Sequence, residues 1–200
     1  MRLHNFLQRL DGLTQRILTA LWYRWRFGGC GARLVIAHHP RMINPHLMFL
    51  GNRISVGPLV RLEVHPQNGN SASLVVGDDS IIEHGVHIYA ASHLTIGKHA
   101  LIASGCMITD NNHGHHPPAG GYARQKLIAT TTTLGDNVWL GENVAVLPGS
   151  LIGDNVIVGA NSVVNGVLPP NCIAVGSPAK PVKTFDQLTQ SWVSVRVSEQ

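Results

Sequence analysis

The sequence predicts an all-β chain wound as a three-sided coil, and three observations carry that reading. First, aliphatic residues recur every sixth position without a slip at Leu134, Leu140, Val146, Ile152, Val158 and Val164. An α-helix would carry such a period around its axis instead of stacking it, and a hairpin sheet has no reason for a fixed six. Second, glycine occupies the second position of four of these hexads (Gly135, Gly141, Gly153, Gly159), with Asn or Asp close by, the residue types that tight corners favour. Third, hydrophobic residues make up 44% of the chain but aromatics only 6%, against 21 glycines and 11 prolines. Such a core is built from Val, Ile, Leu and Ala in a turn-rich backbone. One short strand per hexad, with each leading aliphatic facing inward above the residue eighteen earlier, satisfies all three.

The elements follow in chain order. Leu3–Phe27 places Leu3, Phe6, Leu7, Leu10, Leu13, Ile17, Leu18 and Leu21 at three- and four-residue steps, an amphipathic helix. Trp22, Tyr23, Trp25 and Phe27 interleave with Arg24 and Arg26 at its end, which leaves two readings: a cap on the open end of the coil, or an interfacial helix on acidic lipid. Ile54 and Val60 start an early coil. Val76, Ile82, Ile88 and Leu94 keep the six-residue step, and a two-residue offset leads to Ile96, Ile102 and Ile108. Residues 110–133 break the period, so they must leave the coil as a protruding loop, and loops on rigid scaffolds disproportionately carry function. Pro178–Ser198 reads as a capping strand and helix. The expected organisation is a helical or capping segment over 1–45, the coil over 46–177, and a terminal cap over 178–200.

Two hundred residues suit one domain with a core large enough to need no disulfides. Fifteen basic against eleven acidic residues give a net charge of +4. The basic residues are scattered, which argues against nucleic acid and for an anionic small ligand or an acidic membrane surface. Cys30, Cys106 and Cys172 lie far apart and form no pairing motif. With no apolar run of membrane-spanning length and no secretory pattern near Met1, a reducing, cytoplasmic location is expected, with peripheral contact at the inner membrane face if the N-terminal helix meets lipid.

Three further segments carry a likeness: TDNNHGHH at Thr109–His116, GDNVWLGENVAVLPGSLIGDNVIVGANSVV at Gly135–Val164, and LPPNCIAVGSPAKPVK at Leu168–Lys183. With the hexads from Ile54 to Pro169, they resemble the hexapeptide-repeat acyltransferases, particularly the sugar O-acetyltransferases. The resemblance implies a left-handed parallel β-helix, a homotrimer with grooves between subunits, acetyl-CoA as acyl donor, and a sugar or glycan as acceptor. It places the catalytic histidine on His113 and a substrate-binding polar residue on Glu83, where many relatives have Asn. The cofactor contacts fall on Trp139, Gly141, Glu142, Ala160, Lys180 and Lys183. Many relatives carry Lys-Asp where this chain has Asn165-Gly166, a departure from the family pattern at one of its phosphate contacts.

The chemistry suits these residues. O-acetylation from a thioester removes a proton from a hydroxyl, for which histidine is the natural base near neutrality. A backbone N–H at the Gly141–Glu142 corner could receive the oxyanion. His115 and His116 are the alternative bases, and Cys106 the alternative nucleophile, although its hexad position faces inward. Two clusters, His84 with His87 and His113 with His115 and His116, invite a metal, yet read as solvent-facing positions, and no metal site is assigned. The implied function is an acetyl-CoA-dependent O-acetyltransferase acting on surface polysaccharide or lipopolysaccharide. The alternatives are a non-catalytic assembly module and a serine or amino-sugar acetyltransferase.

Overall fold

A computed structural model describes Thr14 and residues 22–37, 40–67, 69–117 and 121–195. Successive strands visit three parallel sheets in turn, which we call faces A, B and C. The first coil is β1 (Gly29–Cys30), β2 (Val35–Ile36) and β3 (Arg41–Ile43); the second is β4 (Met48–Leu50), β5 (Ser55–Val56) and β6 (Arg61–Val64). The third is β7 (Ser73–Val76), β8 (Ile81–Ile82) and β9 (His87–Ala90). The fourth is β10 (His93–Ile96), β11 (Leu101–Ile102) and β12 (Met107–Thr109). An antiparallel ribbon, β13 (Asn111–His113) and β14 (Leu127–Ala129), then leaves the coil. The fifth coil is β15 (Thr132–Leu134), β16 (Trp139–Leu140) and β17 (Ala145–Val146), and the sixth β18 (Leu151–Ile152), β19 (Ile157–Val158) and β20 (Val163–Val164). Finally β21 (Val167–Leu168) and β22 (Cys172–Gly176) lead into a hairpin of β23 (Ala179–Asp186) and β24 (Ser191–Ser194).

The eighteen-residue stack expected from the hexads is present: Leu134 pairs with Ile152, Leu140 with Val158 and Val146 with Val164. All six side chains are at most 1% exposed. The earlier two-residue offset has a simple cause. On face C, β6 and β9 run four residues where β17 and β20 run two, so the coil from Leu74 to Leu94 takes twenty residues.

The corners correct one expectation. The left-handed conformation belongs to the fourth hexad position, where Asn137, Asn143, Asn155 and Asn161 have φ of 55–59°. The glycines at the second position are needed for a different reason, namely close approach between coils. A Cβ on Gly141 would sit 2.7 Å from the Ala160 nitrogen, and one on Gly77 2.6 Å from the Gly97 carbonyl carbon. The asparagines also form ladders, Asn137 Nδ2 donating to Asn155 Oδ1 (2.9 Å) and Asn155 Nδ2 to Asn171 Oδ1 (3.0 Å). The Asp136 carboxylate accepts the Lys98 N–H (2.7 Å), and Asp154 accepts that of Asp136 (2.8 Å).

The two ends depart from the repeat. The helix expected over Leu3–Phe27 lies largely outside the described residues, and its described end holds a 3₁₀ turn at Arg24–Arg26. Phe27 is buried against the first coil, while Trp22 and Trp25 are 66% and 88% exposed. β1, β2 and β3, which fall in the segment expected as an N-terminal cap, already supply one strand to each of the three faces. At the other end the cap is the β23–β24 hairpin with no helix among its described residues: Val175 of β22 pairs with Lys180 across the β22–β23 turn, and Phe185 packs edge-on against Trp192. Among the described residues, no helix is long and apolar enough to cross a membrane.

Overpacking a close coil contact with no room to relax costs about 1–3 kcal/mol. Gly77→Ala should therefore lower the thermal midpoint by about 4 °C or more. Gly121→Ala, at a φ of −57° with open space around it, should leave the midpoint almost unchanged. Calorimetry of the two variants checks the comparison.

Candidate active site

His113 ends β13, at the base of the ribbon that leaves the coil after face C. The base is stapled by buried polar groups. The fully buried Asp110 carboxylate accepts the N–H groups of Ala91 (2.7 Å) and Ser92 (2.8 Å) and the Asn111 side-chain amide (3.0 Å). The buried Thr132 hydroxyl donates to the Thr109 carbonyl (3.0 Å) and accepts the Gly149 N–H (3.1 Å), so the chain's exit and return are tied together. Beyond them His113 pairs with Leu127, and Gly114 N–H donates to the Lys126 carbonyl at 3.0 Å. The imidazole of His113 is exposed and makes no hydrogen bond to a described residue.

Between the ribbon and the outer side of face C lies a cleft of about 580 Å³. Its coil wall includes His65, Tyr89, Met107 and Leu147, and its ribbon wall includes Asn111, Asn112 and His113. Behind the coil wall sits a polar array absent from the sequence expectations. Glu63 is 4% exposed, yet its carboxylate is fully engaged. Oε1 accepts from Arg61 (2.9 and 2.7 Å) and pairs with Arg41 Nε (3.1 Å), while Oε2 meets His65 Nε2 at 3.0 Å. Burial pushes this carboxyl's pKa up, but the hydrogen bonds from His65 and Arg61 and the two guanidinium charges outweigh it, and the net shift is downward. Arg61 also lies over the Tyr89 ring, 5.4 Å from its centre. The signal for this array was the alternation Arg61-x-Glu63-x-His65, which sends all three side chains to one side of a strand.

The residues expected to hold a cofactor gather elsewhere, along the edge where face B turns into face C. Gly141 and Glu142 form that corner in the fifth coil, and Ala160 forms it in the sixth, directly against Gly141. Gly141 N–H is used by the ladder, donating to the Val158 carbonyl at 2.8 Å, so of the two expected oxyanion donors the N–H of Glu142 is the one outside it. Trp139, 47% exposed, stands on face B just before this corner. From it a column runs through Ile157 and Ile173 to Lys183, with Lys180 exposed at the hairpin. Glu83 is exposed on the same edge, two coils nearer the N-terminus. The structure thus unites Trp139, Gly141, Glu142, Ala160, Lys183 and Glu83 along one edge, and leaves His113 at the opposite end of the face C strands. Leu147, which lines the His113 cleft, lies across the face C strand Ala145–Val146 from the Glu142 corner.

The other candidates fare less well. Cys106 is buried, donates to the Gly141 carbonyl (3.1 Å), and burial raises its pKa to about 11, so it is a thiol and no nucleophile near neutrality. Among the described residues no three His, Cys, Asp or Glu side chains converge as a metal site would require. His87 is half-buried, and desolvation, then the Arg61 charge, lower its pKa. His115 and His116 are exposed on the ribbon, away from the cleft that His113 lines.

Residues 131–166 match the family model described as bacterial transferase hexapeptide (six repeats). Over 122 residues the chain is 43% identical to an Escherichia coli (strain K12) protein named as a lipopolysaccharide biosynthesis O-acetyl transferase, WbbJ, covering 58% of this chain and 62% of that protein. It is 34% identical over 93 residues to the galactoside O-acetyltransferase of the same organism, covering 46% of this chain and 45% of that one. The chain thus spans less than two thirds of the length of these relatives. Among solved structures, AntD, an N-acyltransferase from Bacillus cereus in complex with dTDP and 3-hydroxybutyryl-CoA, superposes with a TM-score of 0.73 at 19% identity, covering 86% of this chain and 90% of AntD. At such identity the likeness speaks for the fold.

Two measurements check the electrostatics. Because the folded-state pKa of Glu63 lies below its ordinary 4.5, its stabilising contribution should be complete above that value and vanish as pH falls through the depressed one. The stability gap between wild type and Glu63→Gln, read by denaturant titration, should therefore close on acidification. Cys106 should resist iodoacetamide at pH 7.5 in the native state and react once the chain is unfolded.

Proposed function

We propose that this hexapeptide-repeat protein, a coil of left-handed sense, is an acetyl-CoA-dependent O-acetyltransferase that modifies a sugar hydroxyl in surface polysaccharide or lipopolysaccharide assembly. The observation that carries the reading is the placement of His113 at the mouth of a cleft, on a ribbon whose base is fixed by Asp110, Thr109 and Thr132. The names of the curated relatives and the acyl-CoA in the AntD complex support the substrate classes.

In the proposed reaction His113 takes the acceptor hydroxyl's proton as that oxygen attacks the thioester carbonyl carbon. The C–S bond then breaks, the new ester carries the acetyl group, and the departing thiolate takes the proton from His113. The N–H of Glu142 is suited to receive the oxyanion, since the ladder does not use it. The acyl donor lies along the B–C edge, its pantetheine past Ala160 and its phosphates towards Lys180 and Lys183. Trp139 and Lys183 are three strands apart, about 14 Å, a span suited to an extended ligand.

A single chain holds the base and this edge at opposite ends of the face C strands. The proposed active unit is therefore a homotrimer, in which the ribbon of one subunit meets the B–C edge of the next, with Glu83 of that edge turned to the acceptor. The N-terminal segment, with exposed Trp22 and Trp25 beside Arg24 and Arg26, is suited to peripheral contact with an acidic membrane face in the cytoplasm.

His113→Ala should lower kcat by at least ~10²-fold and leave acetyl-CoA affinity nearly unchanged. Near-normal turnover would remove His113 from the mechanism. Phosphates do not change charge during acetyl transfer, so Lys180→Ala with Lys183→Ala should raise the acetyl-CoA KM about tenfold and spare kcat. Sedimentation equilibrium at micromolar concentration should give three times the 21.6 kDa chain mass; a monomer mass would contradict the shared site.

A further inference from the structure

The cleft's lining says which kind of acceptor it fits. His65 is 38% exposed in its side chain, lines the cleft with His113, and rests against a buried carboxylate. Its Nε2–H donates to Glu63 Oε2 at 3.0 Å, so in the neutral ring Nδ1 is left as an acceptor. Burying Glu63 is costly, and Arg61 and Arg41 offset its charge. The result is a histidine of fixed tautomer on the coil, across the cleft from the ribbon wall that carries His113. Tyr89, with Arg61 beside its ring, adds an aromatic surface. The described lining otherwise offers amides (Asn111, Asn112, Gln67), the Thr109 hydroxyl and aliphatic groups (Met107, Leu147), and among the described residues no carboxylate, lysine or arginine headgroup. The two nearby guanidiniums pair with Glu63 and do not line the cleft. Amides and imidazoles match hydroxyls, and an aromatic ring with aliphatic neighbours matches the C–H face of a sugar ring. Among the described lining residues no lysine or arginine headgroup is present to neutralise a ligand's negative charge, and the His65 ring already faces the Glu63 carboxylate.

We infer that His65, held by Glu63, determines acceptor specificity: its Nδ1 accepts a hydrogen bond from a hydroxyl of an uncharged pyranose lying against Tyr89, next to the hydroxyl that His113 deprotonates. The inference rests on the acetyltransferase reading and deepens it, because it moves acceptor recognition onto coil residues that neither the hexads nor the motifs mark.

The test uses the full chain, acetyl-CoA, and methyl glucoside and methyl galactoside beside the corresponding methyl uronides. Transfer is followed by CoA thiol release and sugar binding by saturation-transfer NMR. The expected result is that a neutral glycoside is bound and acetylated at least about tenfold better than its uronide. His65→Ala should raise the acceptor KM about tenfold, with kcat within about threefold and the acetyl-CoA KM unchanged. His65→Gln, which keeps a donor for Glu63 and an acceptor oxygen, should recover part of the loss. An unchanged acceptor KM in His65→Ala, a loss confined to kcat, or a preference for uronides would overturn the inference. Sugar binding that depends on His65 without any thiol release would sustain it and instead sink the acetyltransferase reading.

Discussion

Every coil of this molecule must hydrogen-bond to the coils beside it, and that constraint sets most of what the sequence is allowed to be. Adjacent strands in such a ladder lie about 4.8 Å apart, so each corner backbone runs against the next corner with no space for a Cβ. That is why Gly77, Gly141 and Gly153 are glycine although their dihedrals are ordinary, while the left-handed turn falls two positions on, at Asp79, Asn143 and Asn155. The same contact stacks Leu134 on Ile152 and Leu140 on Val158, which fills the interior without large aromatic rings. It also dictates where chemistry can be placed. An insertion cannot interrupt an interior strand without breaking two ladders, so it leaves at a corner, and the chain's exit at Thr109–Asp110 and return at Thr130–Thr132 are bound to each other by hydrogen bonds.

The interior was legible because its cause is local and repeats. Six-residue spacing, a small second position and an asparagine or aspartate corner each recur, so no single ambiguous residue decides the reading. The ribbon was legible as the segment where that repetition stops. The C-terminal end was not legible, since a cap must satisfy one last coil and answers to no period. The β23–β24 hairpin satisfies β22 by antiparallel pairing, and its alternation of Lys180, Lys183 and apolar residues fits a strand as well as the end of a helix. The Glu63 array escaped notice for a related reason. Its members are spaced as outward residues of any half-exposed strand, and only the coil-on-coil register brings Arg41 to Glu63 and Tyr89 beside Arg61.

The site expectations were individually placed by motif, and the fold divides them between two regions. Trp139, Gly141, Glu142, Ala160, Lys183 and Glu83 share the B–C edge, while His113, with His65 and Tyr89, belongs to the cleft over face C. Under the proposed trimer this division has a use: the acyl donor and the base approach from different rigid bodies, and the acceptor is gripped where they meet. Positioning of this kind contributes as much to rate as the base itself.

Mixing two inactive variants tests that division most directly. His113→Ala removes the base and leaves the edge intact; Ala160→Trp fills the pantetheine track and leaves the ribbon intact. If the site is shared between subunits, chains unfolded together in equal amounts and refolded should regain about one quarter of wild-type activity, the random frequency with which an intact ribbon meets an intact neighbouring edge. If ribbon and edge of one chain serve the same site, no mixed trimer contains a complete site. The mixture would then stay as inactive as its parents, contradicting the shared site.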